Sequence, residues 1–206
     1  MNSVPPTPKP APGAAAAPRK ITKARLHNIA LHHLERFSAS GEGLRRVLER
    51  RVFKAGRAGA EVPEEAPAWI AEILDTLRRQ GYLDDARFAD STARSLAARG
   101  QSLRAIRQRL AAKGVARDHV DAALARLAED LVPAGEDAAQ ADPDMAAAVA
   151  YARRRRLGPW RPPEVRADFR QKDMAALARR GFSADVTRRL LDAEGPDEAE
   201  DMALGR

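Results

Sequence analysis

The residues of this sequence that could take part in binding chemistry are mainly arginines and lysines. From Ser91 to Arg117 the chain contains no acidic residue. Its basic residues there are Arg94, Arg99, Arg104, Arg107, Arg109, Lys113 and Arg117. A second basic cluster consists of Arg153, Arg154, Arg155 and Arg156. Either cluster could neutralise phosphates or an acidic protein surface. A solvated helix face is the better explanation for any single arginine, but an acid-free run of this length favours a binding surface.

Catalytic chemistry finds no support in the sequence. It has no phosphate-binding loop, GxSxG elbow, HExxH motif or dinucleotide-binding glycine pattern. The histidines form no i, i+4 pair, and the adjacent Asp84 and Asp85 suit a helix start better than an acid–base pair. We therefore expect no enzymatic activity, no metal site, no cofactor and no small-molecule substrate.

Composition favours an all-helical protein. Of 206 residues 44% are hydrophobic and only 4% aromatic, and the abundant alanine suits helices better than sheets. The net charge is +7. The absence of cysteine and of a long apolar run excludes a disulfide framework and a membrane span, and favours a cytoplasmic location.

Glycine, proline and capping residues divide the chain into nine predicted helices. The first two helices are expected to start near Thr22 and at Ser40. The next four are expected at Pro67 to Gly81, Asp84 or Asp85 to Arg99, Ser102 to Lys113, and Asp118 to Leu131. The seventh should end before Gly158, the eighth should run from Pro162 to Gly181, and the ninth should start at Ser183. On the first helix Phe37 falls on the apolar face, and Tyr82, Phe88 and Trp69 are expected in the core. The proline-rich residues 1–19 and the acidic residues 195–206 are predicted to be disordered tails. Deletion of residues 1–18 and 196–206 is expected to leave the melting temperature nearly unchanged.

A short motif recurs at three helix ends. Gly81-Tyr82-Leu83-Asp84-Asp85, Gly114-Val115-Ala116-Arg117-Asp118 and Gly181-Phe182-Ser183-Ala184-Asp185 share glycine, an apolar residue, two variable residues and aspartate. Such a motif ends one helix on a left-handed glycine and places an acid in the first turn of the next. We therefore expect positive φ at all three glycines.

A second similarity relates Ser40-x3-Leu44-Arg45-x2-Leu48 to Ser102-x3-Ile106-Arg107-x2-Leu110. Together the two patterns predict three tandem three-helix repeats. Arg45, which matches Arg107 in this comparison, is a further candidate for binding a partner or DNA. The expected ranges are 20–80, 84–131 and 145–194, with an acidic linker at 132–144 between the second and the third.

Several of these segments resemble the RecX regulators of the RecA recombinase. The segment Gly81-Tyr82-Leu83-Asp84-Asp85-Ala86-Arg87-Phe88-Ala89 is very close to the most recognisable part of that family. Residues Ser102 to Gly114 look like its second-repeat basic helix, and Ala178-Arg179-Arg180-Gly181-Phe182 resembles its third-repeat turn. The sequence departs from the family at Gly43, where glutamate is usual, and in the arginine-rich segment from Ala152 to Gly158.

This resemblance implies an elongated, curved array of helical triplets that lies in the groove of the RecA–DNA filament. Such a protein would restrain filament growth, ATP hydrolysis and strand exchange, and would thereby regulate recombination, DNA repair and the SOS response. Its partners would be the RecA filament and, weakly and without sequence specificity, DNA, with no membrane involved.

The alternative is a helix-turn-helix DNA-binding protein. In that case Asp85 to Arg99 is the first helix, Gly100 the turn, and Ser102 to Lys113 the recognition helix. In either case Leu103, Ile106 and Leu110 form the buried stripe of the basic helix. Arg104 and Arg107 then lie on one flank and Arg109 and Lys113 on the other, where we expect them to bind a partner rather than stabilise the fold.

Overall fold

The computed structural model of the chain describes residues 20–132 and 141–206, and within them all regular secondary structure is helical, without a strand. The predicted all-α class is therefore confirmed. The helices are α1 (Lys23–Arg36), α2 (Gly41–Arg57), α3 (Ala66–Arg79), α4 (Asp85–Ala98), α5 (Leu103–Ala112), α6 (Arg117–Leu131), α7 (Pro143–Arg155), α8 (Arg166–Arg179), α9 (Ala184–Asp192) and α10 (Pro196–Leu204). Two short 3-10 helices, Gly158–Trp160 and Pro163–Val165, precede α8.

Capping side chains begin many of these helices where the sequence predicts. Thr22, Ser40, Ser102 and Ser183 each accept a hydrogen bond from the backbone N–H three residues later. Asp84 caps α4 in the same way. Because these side chains satisfy N–H groups that have no partner inside the helix, they set the helix starts locally.

Buried side chains form three clusters along the chain. The first joins α1 to α3 and includes Leu44, Leu74 and Leu77. The second joins α4 to α6 around Ile106 and Leu110. The third joins α7 to α10. We refer to the helices of these clusters as units 1, 2 and 3.

Successive units meet through two similar junctions at the start of α2 and of α5. At the first, Ser40 Oγ donates to the carbonyl of Lys113 (2.6 Å), and the N–H of Gly41 donates to Asp85 Oδ1 (2.8 Å). At the second, the N–H of Ser102 donates to the carbonyl of Arg180 (3.0 Å), and the N–H of Leu103 donates to Asp144 Oδ1 (2.8 Å). At both junctions, the start of the second helix of one unit contacts the turn that follows the second helix of the next unit.

The glycines of the recurring motif have the predicted conformation. Gly81, Gly114 and Gly181 have φ values of 75°, 74° and 92°. Their positions in the fold differ, because Gly114 and Gly181 end the second helix of units 2 and 3, whereas Gly81 follows the third helix of unit 1.

The predicted core positions of Tyr82 and Phe37 were wrong. Tyr82 is 61% exposed, because the turn after α3 directs Leu83 into the core instead. Phe37 is 54% exposed, because α1 ends before it and the chain becomes extended there. Phe88 is buried as expected, and Trp69 is partly buried against the core of unit 1. Val115 and Phe182, the apolar residues of the other two motif copies, are buried as well.

The predicted disorder of residues 195–206 was also wrong. Pro196 to Leu204 form α10, whose Ala199 and Ala203 are buried in the core of unit 3. Small side chains allow this helix to approach α7 closely, and Met202 packs against the same core while partly exposed. The predicted tail at 1–19 and residues 133–140 of the predicted linker lie outside the described residues; α7 starts at Pro143, two residues before the expected repeat boundary.

Candidate anion-binding groove

A groove between α4 and α5 collects three of the predicted basic residues. It encloses a cavity of about 610 Å³ lined by Arg99, Arg109 and Lys113. The hydroxyl side chains of Ser91, Thr92 and Ser95 line the same cavity. All the lining residues are described, and none of them is acidic. We call this cavity the basic groove.

The packing of unit 2 holds the three cations on one side of the molecule. Ile106 and Leu110 are fully buried, so α5 turns Arg109 and Lys113 away from the core. Arg99 caps the end of α4, next to Gly100. Lys113 Nζ lies 5.7 Å from the centroid of the Phe88 ring. Cations beside hydroxyl donors form a surface suited to phosphate or carboxylate oxygens.

The opposite flank of α5 is already occupied by contacts within the protein. Arg107 forms an ion pair with Asp121 of α6, and its hydrogen bond lowers the pKa of that carboxyl below the ordinary value of 3.8. Arg117 Nε lies 3.5 Å from the same carboxylate. Arg104 Nε donates to the carbonyl of Gly181 in unit 3 (3.2 Å). The two flanks of α5 are therefore not equivalent, and the Arg104 and Arg107 flank contributes to the fold.

The cluster at residues 153–156 is divided in the structure. Arg153 pairs with Glu200 of α10 (3.3 Å), and Arg154 Nη1 donates to the carbonyl of Ala98 (2.7 Å). Arg155 and Arg156 are exposed and form no ion pair within the described residues. The cluster therefore presents two available cations rather than four.

The two remaining candidates differ in their surroundings. Arg45 is paired with Glu42 of its own helix (3.2 Å). Arg94 is exposed on α4 and lines no part of the basic groove. Of the residues singled out from the sequence, the structure thus brings together Arg99, Arg109 and Lys113.

The groove hydroxyls were missed in the sequence. Ser91, Thr92 and Ser95 occupy positions i, i+1 and i+4 of α4, within the acid-free stretch. Their spacing places them along one side of the helix, and this pattern could have identified them as groove residues from the sequence.

The start of α5 is covered by unit 3. Ser102 is fully buried, and the N–H of Leu103 is bonded to Asp144. Burial is the main cause that raises the pKa of the Asp144 carboxyl above its ordinary value of 3.8, and the bond from Leu103 opposes it. The first turn of α5 is therefore not a free surface.

Other kinds of site are not found in the described residues. No group of three or more histidine and acidic side chains there could hold a metal ion. Across residues 20–132 and 141–206, no helix is long and apolar enough to cross a membrane.

The fold is that of an all-α protein of three successive helical units, in which basic side chains of the middle unit line a groove. Residues 84–124 match the model of the RecX second three-helix domain. "Regulatory protein RecX" of Myxococcus xanthus (strain DK1622) is 38% identical over 177 residues, which are 85% of this chain and 89% of that protein. The protein of the same name from Agrobacterium fabrum (strain C58 / ATCC 33970) is 31% identical over 179 residues, 85% of either chain. The chain belongs to the RecX family of regulatory proteins.

A solved structure supports the same fold. The crystal structure of a regulatory protein RecX superposes with a TM-score of 0.53 at 24% identity, over 83% of this chain and 72% of that one. At this identity the likeness concerns the arrangement of helices.

Proposed function

We propose that this protein binds filaments of the RecA recombinase in the cytoplasm and restrains their ATP hydrolysis, growth and strand exchange. It would act by binding rather than by catalysis. The observation that carries the proposal is the basic groove, which lies in the unit that matches the family model and has no acid among its lining residues.

The chemistry of a protein–DNA filament suits such a groove. A filament offers DNA phosphates and acidic protein side chains together, and both are ligands for arginine and lysine. Three cations that project from two helices give a contact with charge but without a base-reading element. We therefore expect binding that depends on salt and depends little on sequence.

The helix-turn-helix alternative finds less support. A recognition helix places its N-terminal residues against base edges in the major groove. Here the first turn of α5 faces unit 3, with Ser102 buried and Arg104 bonded to the carbonyl of Gly181. Unit 3 would have to move away before α5 could enter a DNA groove in that way.

Cosedimentation with assembled RecA filaments tests the proposal. The protein should pellet with filaments and stay in solution without them. A double variant, Arg109→Gln with Lys113→Gln, should pellet less and should lower the salt slope of binding by about two units, one for each lost phosphate contact. Arg87→Gln with Arg188→Gln is the charge-matched control, since both side chains are exposed and line no part of the groove. Equal pelleting with and without filaments would overturn the proposal, and sequence-dependent binding to duplex DNA would favour the alternative.

A further inference from the structure

A second basic cavity lies between α1 and α2, in unit 1. Its volume is about 370 Å³, and its lining includes Arg36, Arg51, His33 and Phe37. No acidic side chain is among the described residues that line it. Arg51 is exposed and forms no ion pair with the described part of the chain. The cavity therefore combines positive charge with aromatic surface.

Phe37 supplies that aromatic surface. Its ring centroid lies 5.2 Å from that of His33, and the guanidinium carbon of Arg36 lies 5.7 Å from it. Burial lowers the pKa of His33 below its ordinary value of 6.5. The half-exposed ring thus contacts an imidazole and a guanidinium, and its exposed part offers apolar surface beside a positive charge.

The α1–α2 cavity and the basic groove lie on either side of one short segment. Phe37 lines the first and the next residue, Ser38, lines the second. Cations therefore occur on both sides of the connection between α1 and α2: Arg36 and Arg51 on one side, and Arg99, Arg109 and Lys113 on the other. The exposed phenyl ring lies in the α1–α2 cavity, one residue before the residue that lines the basic groove.

A second exposed phenylalanine, Phe53, has no comparable set of cations around it in the described part of the chain and serves as a comparison for Phe37. Phe53 of α2 is 66% exposed and lines a cavity of about 640 Å³ between α2 and α3. That cavity is mostly apolar, and Glu49 and Glu64 are among its lining residues. Carboxylates repel a polyanion, so exposure of a phenyl ring alone does not make a comparable site.

We propose that Phe37 and the cations of the two cavities bind a single strand of nucleic acid, with an unpaired base stacked on the phenyl ring. The phosphates of the strand would lie against the arginines and Lys113, and the ring would take the face of one base. In a duplex the base faces are covered by their neighbours, so the site should prefer an unpaired strand. This goes beyond the proposed function, because a bare strand should bind without a filament.

Fluorescence anisotropy with labelled dT20 and a 20-base-pair duplex tests the inference at low salt. The unmodified protein should bind the single strand more tightly than the duplex. Phe37→Ala should weaken single-strand binding about fivefold or more, the lower end of what loss of one stacking contact causes, and should change duplex binding less than twofold. The control Phe53→Ala should leave both affinities unchanged. Equal effects of the two alanine variants, or equal affinity for strand and duplex, would overturn the inference.

Two further variants keep the test informative. Phe37→Leu retains apolar volume and helical content, measured by circular dichroism, but removes the ring face, so it should weaken single-strand binding as alanine does. Phe37→Trp should bind the strand, and its emission should be quenched on addition of dT20, unlike that of Phe53→Trp. Single-strand affinity unchanged in Phe37→Leu would contradict stacking. If the protein pellets with RecA filaments but binds no dT20, this inference is wrong and the proposed function stands; the reverse result rejects the proposed function alone.

Discussion

Alanine substitutions at the three motif glycines should have unequal costs. Gly81 and Gly114 have nearly the same positive φ, so alanine is strained at both by about 1–2 kcal/mol. They differ in what surrounds them. A Cβ at Gly81 would meet nothing within 4 Å, whereas a Cβ at Gly114 would lie 2.5 Å from Glu42 Cβ of unit 1.

The clash at Gly114 cannot be relieved by rotating a side chain. The Cβ of Glu42 is fixed to the backbone of α2, so the whole helix must move away from unit 2. Overpacking of this kind costs roughly 1–3 kcal/mol. Gly181→Ala should behave alike, because its Cβ would lie 2.6 Å from Ala105 Cβ. We expect about 3 kcal/mol of lost unfolding free energy at Gly114 and Gly181, against about 1–2 kcal/mol at Gly81.

Urea denaturation followed by circular dichroism measures the difference. The effect of alanine on the unfolded chain is shared by the three variants, so their comparison isolates the junctions. Equal destabilisation of Gly81→Ala and Gly114→Ala would refute the idea that close approach of the units, in addition to backbone strain, requires glycine at the junction.

Three other predictions concern unit 3 and its junction. Asp173 is 2% exposed and accepts hydrogen bonds from the Arg161 guanidinium (2.7 Å) and from the N–H of Gly158 (2.9 Å). Asp173→Ala should therefore lower the free energy of unfolding, measured by heat or urea, by about 3 kcal/mol. A decrease below about 1 kcal/mol would contradict this. By NMR, the Asp144 carboxyl should titrate above 3.8. The native state then holds this proton more tightly than the unfolded chain does, so the contribution of Asp144 to stability should fall as the pH rises from 3.8 through the native pKa. Asp144→Asn should remove that pH dependence. A titration midpoint of Asp144 at or below 3.8 would contradict this prediction. Deletion of residues 196–206 should lower the melting temperature by about 2–8 °C, since it removes buried Ala199 and Ala203, and an unchanged value would indicate that α10 contributes nothing.

Much of the fold could be predicted because its signals are local. Thr22, Ser102 and Ser183 cap helices through atoms three residues away, and Gly114 and Gly181 end helices through their own φ. Nothing local indicated α10. Its alanines are buried only because α7 presents a closely matching surface, and that surface exists only in the folded unit.

The basic groove could be predicted only in part, because some of its determinants are contacts between helices. Helical periodicity placed Arg109 and Lys113 outside the core of unit 2 correctly. It could not distinguish them from Arg104 and Arg107, because their partners are distant in sequence: Gly181 lies in the turn after α8, and Asp121 lies on α6. Neither could it show that Phe37 leaves the core of unit 1, since that depends on where α1 ends.

ATP hydrolysis by RecA filaments, titrated with this protein, tests the central claim most directly. The unmodified protein should slow hydrolysis in a saturable manner. Arg109→Gln with Lys113→Gln should require a higher concentration for the same effect, while the control Arg87→Gln with Arg188→Gln should match the unmodified protein. Hydrolysis that is insensitive to the protein, or slowed equally by the groove variant and the control, would contradict restraint of the recombinase through the basic groove.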